Sequence, residues 1–188
     1  MNLPNKLTVA RIIATPVFLF LMVMNWYIPA LLVFIAAALT DLFDGKIARA
    51  RGLVTDFGKF LDPVADKMLT TAAFLAFLQK GVGDGIVWIV FIVLFREFIV
   101  TSVRLVAASS GGKVIAANIW GKAKTVSQMV AIIFTIAALS FVSIFSFPVL
   151  NTVLAALVNA TLWISTVLCV ISGVIYLVQN AEIFMNSK

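Results

Sequence analysis

Asp41 and Asp44 stand three apart, and Asp62 and Asp66 stand four apart, within DLFDGKIARARGLVTDFGKFLDPVAD (residues 41–66). On a helix, each spacing sets both carboxylates on one face. The flanking stretches, LLVFIAAALT and KMLTTAAFLAFL, are almost wholly apolar. Two helices joined by a short turn are antiparallel neighbours, so the two acid faces can meet around one point. A carboxylate in an apolar membrane zone costs about 2.5–3.5 kcal/mol, and four that repel one another cost more unless cations neutralise them. The donors are hard oxygens without sulfur or imidazole, which selects Mg²⁺ or Mn²⁺, with Ca²⁺ as a binder less suited to turnover. Four carboxylates suit two ions better than one, and paired ions favour phosphoryl chemistry by clamping phosphate oxygens. The competing explanation is an interfacial salt network with Lys46, Arg49, Arg51, Lys59 and Lys67, but such a network needs no facial alignment. Asp56 and Asp84 fit neither face and read as the N-caps of the third and fourth helices.

Small residues accompany the acids. Gly45 directly follows Asp44, and Gly58 lies four before Asp62. By spacing, Gly45, Ala48 and Gly58 leave a shallow groove where a flat group approaches the backbone. Close helix packing accounts for them equally well.

The elements that must carry these residues are membrane helices. The 188 residues are 63% hydrophobic and only 12% charged, with a mean hydropathy of +1.13. Apolar runs of about 20 residues recur, which reads as an all-α integral membrane bundle forming one domain over 1–188. Six helices are expected over about 7–25, 28–50, 57–80, 85–109, 119–141 and 150–179. The breakers NWYIP, KGVGDG, SSGGK and SFPVLN punctuate them. The first helix lacks a small-residue cleavage site and does not read as a removable signal.

Twelve of the basic residues, from Lys6 to Lys188, fall on one side of this bundle. Lys80 falls on the other, and Arg96 lies within a helix. The positive-inside rule then puts both termini, and the face bearing the acids, in the cytoplasm. The net charge of +6 fits loop topology and anionic headgroups rather than nucleic acid. With no histidine, Ser-His-Asp and Cys-His catalysis and histidine-ligated zinc are excluded. Cys169 has no partner for an internal disulfide and reads as a small buried residue.

A second constellation is basic. LFREFIVTSVRL sets Arg96 and Glu97 deep in an apolar run, with Arg104 seven after Glu97. An intramembrane arginine is a functional candidate, against the alternative of a private ion pair with Glu97. NIWGKAKTVSQ opens the fifth helix with Lys122 and Lys124, and Gln128 follows Lys124 by one turn. Lys122 equally suits a snorkelling anchor. Asn5, Thr8 and Arg11 lie near the same face. A ligand bearing a phosphate would use such a pocket beside the acidic one, whereas an uncharged ligand would not need it.

Asp41-x-x-Asp44-Gly45-x-x-Ala48-Arg49, eight residues, then Gly58-x-x-x-Asp62-x-x-x-Asp66 resembles the signature of the CDP-alcohol phosphotransferases at every position. The resemblance implies a homodimer with a dimetal site. It implies Asp41, Asp44, Asp62 and Asp66 as metal ligands and Asp66 also as general base. Asp41, Asp44, Gly45, Ala48, Arg49 and Gly58 would hold the CDP group. The RE pair with Arg104, the WGKAKT segment and PNKLT look like the branch that uses glycerol 3-phosphate. That implies transfer of a phosphatidyl group from CDP-diacylglycerol to glycerol 3-phosphate in a cell membrane. Thr8, Lys59, Arg96, Arg104, Lys122 and Lys124 are then the candidate acceptor contacts. The inositol-phosphate branch is the nearest alternative. An ion-coupled transporter is a distant one, since no line of polar residues is evident along helices 1, 5 and 6.

Overall fold

The computed structural model describes the backbone of residues 3–51, 56–109, 119–145 and 147–181. Among these residues there are six α-helices and no strand: α1 (Leu3–Val23), α2 (Tyr27–Arg51), α3 (Asp56–Lys80), α4 (Ile86–Ser109), α5 (Ile119–Ile144) and α6 (Pro148–Gln179). The expected boundaries shift where proline permits. α1 starts at Leu3 rather than 7, since Pro4 in a first turn forfeits no helix hydrogen bond. α6 starts at Pro148 rather than 150 for the same reason.

Two turns close by Schellman motifs, in which a left-handed residue lets the chain satisfy the last helix carbonyls. Asn25 (φ 60°) ends α1, with Asn25 N–H on Met22 O at 3.1 Å and Trp26 N–H on Leu21 O at 2.9 Å. Gly81 (φ 63°) ends α3 through Gly81 N–H on Leu78 O at 3.1 Å and Val82 N–H on Phe77 O at 3.0 Å. Asp84 does not cap α4, contrary to expectation. Gly85 (φ 71°) does: its carbonyl accepts the Ile89 N–H at 3.2 Å. The glycine-rich turn leaves Asp84 one residue short of the cap, where it ties α4 to α6. Its N–H donates to Asn159 Oδ1 (3.0 Å), its Oδ2 accepts from Asn159 Nδ2 (3.4 Å), and its carbonyl accepts from Trp163 Nε1 (3.0 Å). The N-terminus of α3, where Asp56 was expected to cap, adjoins residues outside those described.

The turns determine which helix ends share a side. α1 and α2 form an antiparallel hairpin. Lys80 at the end of α3 donates to Asn25 Oδ1 (2.5 Å) and lies 5.4 Å over the Tyr27 ring. α3 therefore runs parallel to α1. The C-terminal end of α2 and the N-terminal end of α3 consequently lie beside the N-terminal end of α1. α1 packs on both α2 and α3, α5 on α2 and α6, and α4 on α6 and α3. Direct contact between α2 and α3 is slight among the described residues.

One face of α1 steps through Thr8, Arg11, Thr15, Phe18 and Met22, all buried. The face is polar towards the acid-bearing side and apolar towards the other. Phe18 stacks at a tilt on Phe34 of α2, ring centroids 5.4 Å apart, and Phe74 meets Phe77 edge-on. With Ile89, Ile132, Ile136 and Leu162 they fill the interior. The outer surface is also apolar. Trp88, Phe91, Phe95 and Phe98 stand 64%, 56%, 55% and 71% exposed along one side of α4, a face suited to lipid rather than water. Among the described residues, four helices are long and apolar enough to cross a membrane: Asn5–Val23, Ile86–Val106, Ile119–Ile144 and Pro148–Gln179. The apolar stretch of α2, Tyr27–Thr40, is shorter, because Asp41 and the polar residues after it occupy the rest of that helix.

The expectation that helices 1, 5 and 6 lack polar lines needs correcting. Thr135 and Ser140 on α5, and Ser165, Thr166 and Ser172 on α6, are buried on the inner faces. Most of these hydroxyls return to their own helix. Thr15 bonds Arg11 O, Thr135 bonds Ala131 O, Ser140 bonds Ile136 O, and Ser165 and Thr166 bond Leu162 O, at 2.7–2.9 Å. A hydroxyl satisfied one turn back fills space without opening a polar path. Cys169 is fully buried and free, as expected.

Candidate active site

Asp41, Asp44, Gly45, Ala48 and Arg49 lie on the helical backbone of α2, and Gly58, Lys59, Asp62 and Asp66 on that of α3. Their side chains lie outside the described residues. The helical backbone satisfies the condition on which the spacing argument depends. Asp41 and Asp44 share one face of α2, and Asp62 and Asp66 share one face of α3. Two such pairs of hard oxygen donors, near adjoining helix ends, fit divalent cations of the Mg²⁺ class. Among the described residues no group of three or more acids or cysteines comes together.

Helix register relates these positions to the basic constellation. At ~1.5 Å rise per residue, Asp62 and Asp66 lie roughly 9 and 15 Å along α3 from its first residue. Lys67 is one step further. Its ammonium reaches across to α4, where it bonds Thr101 Oγ1, lies 3.4 Å from the Glu97 carbonyl oxygen and is 3.7 Å from Glu97 Oε2. Lys67 thus links the α3 turn that carries Asp66 to the stretch of α4 that carries Glu97 and Thr101.

Glu97 is a hub. Its Oε1 accepts from Arg96 Nη1 at 3.1 Å and from the Lys124 ammonium, while Lys67 approaches Oε2. The side chains of Glu97, Arg96 and Lys124 are 19%, 14% and 9% exposed, too enclosed for solvent to screen them as it screens surface pairs. The expected pairing of Arg96 with Glu97 is present but not private, since α3 and α5 each add a lysine. Arg96 is held from behind by α6: Nη2 donates to Ser172 Oγ at 2.7 Å. Gly173 makes room for its stem, because a Cβ there would lie 2.9 Å from Arg96 Cγ. Thr101 Oγ1 bonds the Glu97 carbonyl at 2.7 Å, one turn back along α4.

The remaining candidates are distributed around this hub. Thr8 is buried on α1, beside buried Asn5 and Arg11. Lys122 is exposed near the start of α5. Arg104 is exposed two turns beyond Glu97, its guanidinium 5.4 Å over the Tyr176 ring of α6. Gln128, one turn from Lys124, is 3% exposed, and its Nε2 has no hydrogen-bond partner. The structure thus brings Arg96 and Lys124 together and sets Arg104 and Lys122 apart from them. Sequence reasoning named Glu97 only as a counter-ion for Arg96 and gave Lys67 a place only in the competing salt network of the aspartates. Ser172, Gly173 and Thr101 went unnoticed. The Ser172–Gly173 pair was the available signal, since adjacent small residues in an apolar helix permit close approach of a neighbour.

Chemically, a basic cluster is tied through Lys67 to an acid-bearing helix of an apolar bundle. The chain is 36% identical to the CDP-diacylglycerol–glycerol-3-phosphate 3-phosphatidyltransferase of Bacillus subtilis, covering all of this chain and 99% of that protein. It is 35% identical to the protein of the same name from Rickettsia bellii, over 93% of each. It is 39% identical to a probable phosphatidylglycerophosphate synthase of Mycobacterium tuberculosis, over 70% of this chain and 64% of that one. Residues 1–171 match the family described as CDP-alcohol phosphatidyltransferase. The aspartate signature on α2 and α3 lies within that match, and the chain belongs to the CDP-alcohol phosphatidyltransferase family.

Proposed function

We propose that this protein transfers the phosphatidyl group of CDP-diacylglycerol to glycerol 3-phosphate, releasing CMP and phosphatidylglycerophosphate. The observation that carries this reading is end-to-end similarity to relatives bearing that activity in their names. The basic cluster tied to α3 through Lys67 agrees with an acceptor that brings its own phosphate. All six helices cross the cell membrane, with both termini and the active site facing the cytoplasm, and the protein works as a homodimer.

Asp41, Asp44, Gly45, Ala48, Arg49 and Gly58 hold the CDP group, which enters laterally from the bilayer. Arg49 presents a fixed fork of donors suited to a diphosphate. Asp41, Asp44, Asp62 and Asp66 would hold two divalent cations, Mg²⁺ or Mn²⁺, which when bound neutralise charge on the diphosphate and on the departing CMP. Thr8, Lys59, Arg96, Arg104, Lys122 and Lys124 line the route of the acceptor phosphate. Asp66 accepts the proton of the acceptor's primary hydroxyl as that oxygen attacks the β-phosphorus. The bond from that phosphorus to the CMP oxygen breaks in the same displacement, and no covalent enzyme intermediate is needed.

The test is CMP release by the purified protein with a panel of alcohols, before and after chelation. Glycerol 3-phosphate supports turnover, and glycerol and inositol do not. Chelation abolishes activity, and Mg²⁺ or Mn²⁺ restores it. Turnover with inositol phosphate but not glycerol 3-phosphate would overturn the acceptor assignment.

A further inference from the structure

We infer that Glu97 is the positioning residue that builds the phosphate-recognising charge of the acceptor pocket. The inference rests on the assignment of Lys124 to that pocket.

A buried carboxylate in an apolar helix needs one cation to neutralise it. Glu97 gathers three from three helices: Lys67 on α3, Arg96 on α4 and Lys124 on α5. Neutralisation therefore does not explain the cluster. Arg96 and Lys124 alone already exceed the single negative charge of Glu97, and excess charge in an apolar interior is costly. An anionic phosphate arriving there would offset that excess. Lys124 and Arg96 keep donors beyond those used here, because an ammonium has three N–H groups and a guanidinium five. Without Glu97 the cations would repel one another, and their long stems would turn toward solvent or headgroups.

Arg96 shows that the arrangement is braced. Ser172 holds Nη2 and Glu97 takes Nη1, while the stem passes over Gly173. Arg96 thus steers Glu97 from the α6 side, and Glu97 steers Lys124 and Lys67 on the side of α3 and α5. Lys67 adjoins Asp66 in the chain, so the hub is tied to the helix turn that carries the proposed base.

The experiment measures separate KM values for glycerol 3-phosphate and CDP-diacylglycerol with purified wild type, Glu97→Gln, Glu97→Asp, Ser172→Ala and Lys124→Met. Glu97→Gln should raise KM for glycerol 3-phosphate by at least about tenfold, by analogy with loss of one partner from a buried charge cluster. KM for CDP-diacylglycerol should stay within about twofold, and Glu97→Asp, which keeps the charge, should recover most of the loss. A merely structural Glu97 would lower the yield of folded protein or kcat and leave the two KM values in their original ratio. That result overturns the inference. If Glu97→Gln does not fold, Ser172→Ala decides: a selective rise of about two- to fivefold in acceptor KM supports the inference, and an unchanged ratio overturns it. If Lys124→Met raises acceptor KM and the Glu97 and Ser172 variants do not, the pocket stands and the role of Glu97 falls. If none of them does, the pocket assignment falls as well.

Discussion

Asp66 and Lys67 are adjacent in the chain but stand about 100° apart around α3. That rotation divides their work. Lys67 turns to Glu97 and Thr101 on α4, and Asp62 and Asp66 share another face of α3. Removing the proton acceptor without removing the oxygen donor therefore isolates the base role. Asp66→Asn should lower kcat by about 10²–10⁴-fold, the usual contribution of a positioned acid or base. CDP-diacylglycerol binding should persist when divalent cation is saturating. Single-turnover CMP release alongside equilibrium lipid binding checks this, and near-full rate in the variant would remove Asp66 as the base. The aspartates were legible in the sequence because i,i+3 and i,i+4 spacing is a local property of a helix. The Glu97 hub was not, because its lysines come from other helices, Lys67 standing 30 residues and Lys124 27 residues from Glu97 in the chain.

At the scale of elements, the turns at the end opposite the acids hold the helices in register. The α3–α4 turn places Gly81, Gly83 and Gly85 at positive φ, a conformation that costs other residues about 1–2 kcal/mol. At Gly85 a side chain would also meet Trp163, with a Cβ 3.2 Å from its Cζ2. Gly85→Ala should accordingly destabilise the fold by about 1–2 kcal/mol. Thermal unfolding in detergent should show a lower midpoint, while the activity per folded molecule stays near wild type because the turn is at the end opposite the acids. An unchanged midpoint would mean that this turn does not constrain the α4–α6 register. Glycine, proline and asparagine marked where the helices stop, and the observed ends lie within a few residues of those marks. Which residue caps α4 was less legible. Asp84 has a capping side chain, but Gly85 has the backbone freedom, and the sharp turn requires the second.

At the scale of the molecule, charge and burial together orient the protein. Lys80 and Asn25 mark one end of the bundle, and Lys6 the other. Cys169 is fully buried, so the natural cysteine should stay silent to a membrane-impermeant maleimide. A cysteine placed at exposed Trp26 should label in sealed right-side-out vesicles, and one at exposed Lys6 only in inverted ones. The reverse pattern would invert the proposed topology. The sequence by itself determined that this is a helical membrane protein, that acids pair on two adjoining helices, and which family it belongs to. Those properties are carried by composition and by spacings within one or two helices. Only the tertiary structure decided that Arg96 shares Glu97 with two lysines, that Ser172 and Gly173 brace it, and that Asp84 links two helices rather than capping one. Those outcomes depend on which helices lie side by side and at what depth, which hydrophobic packing sets and no local spacing encodes.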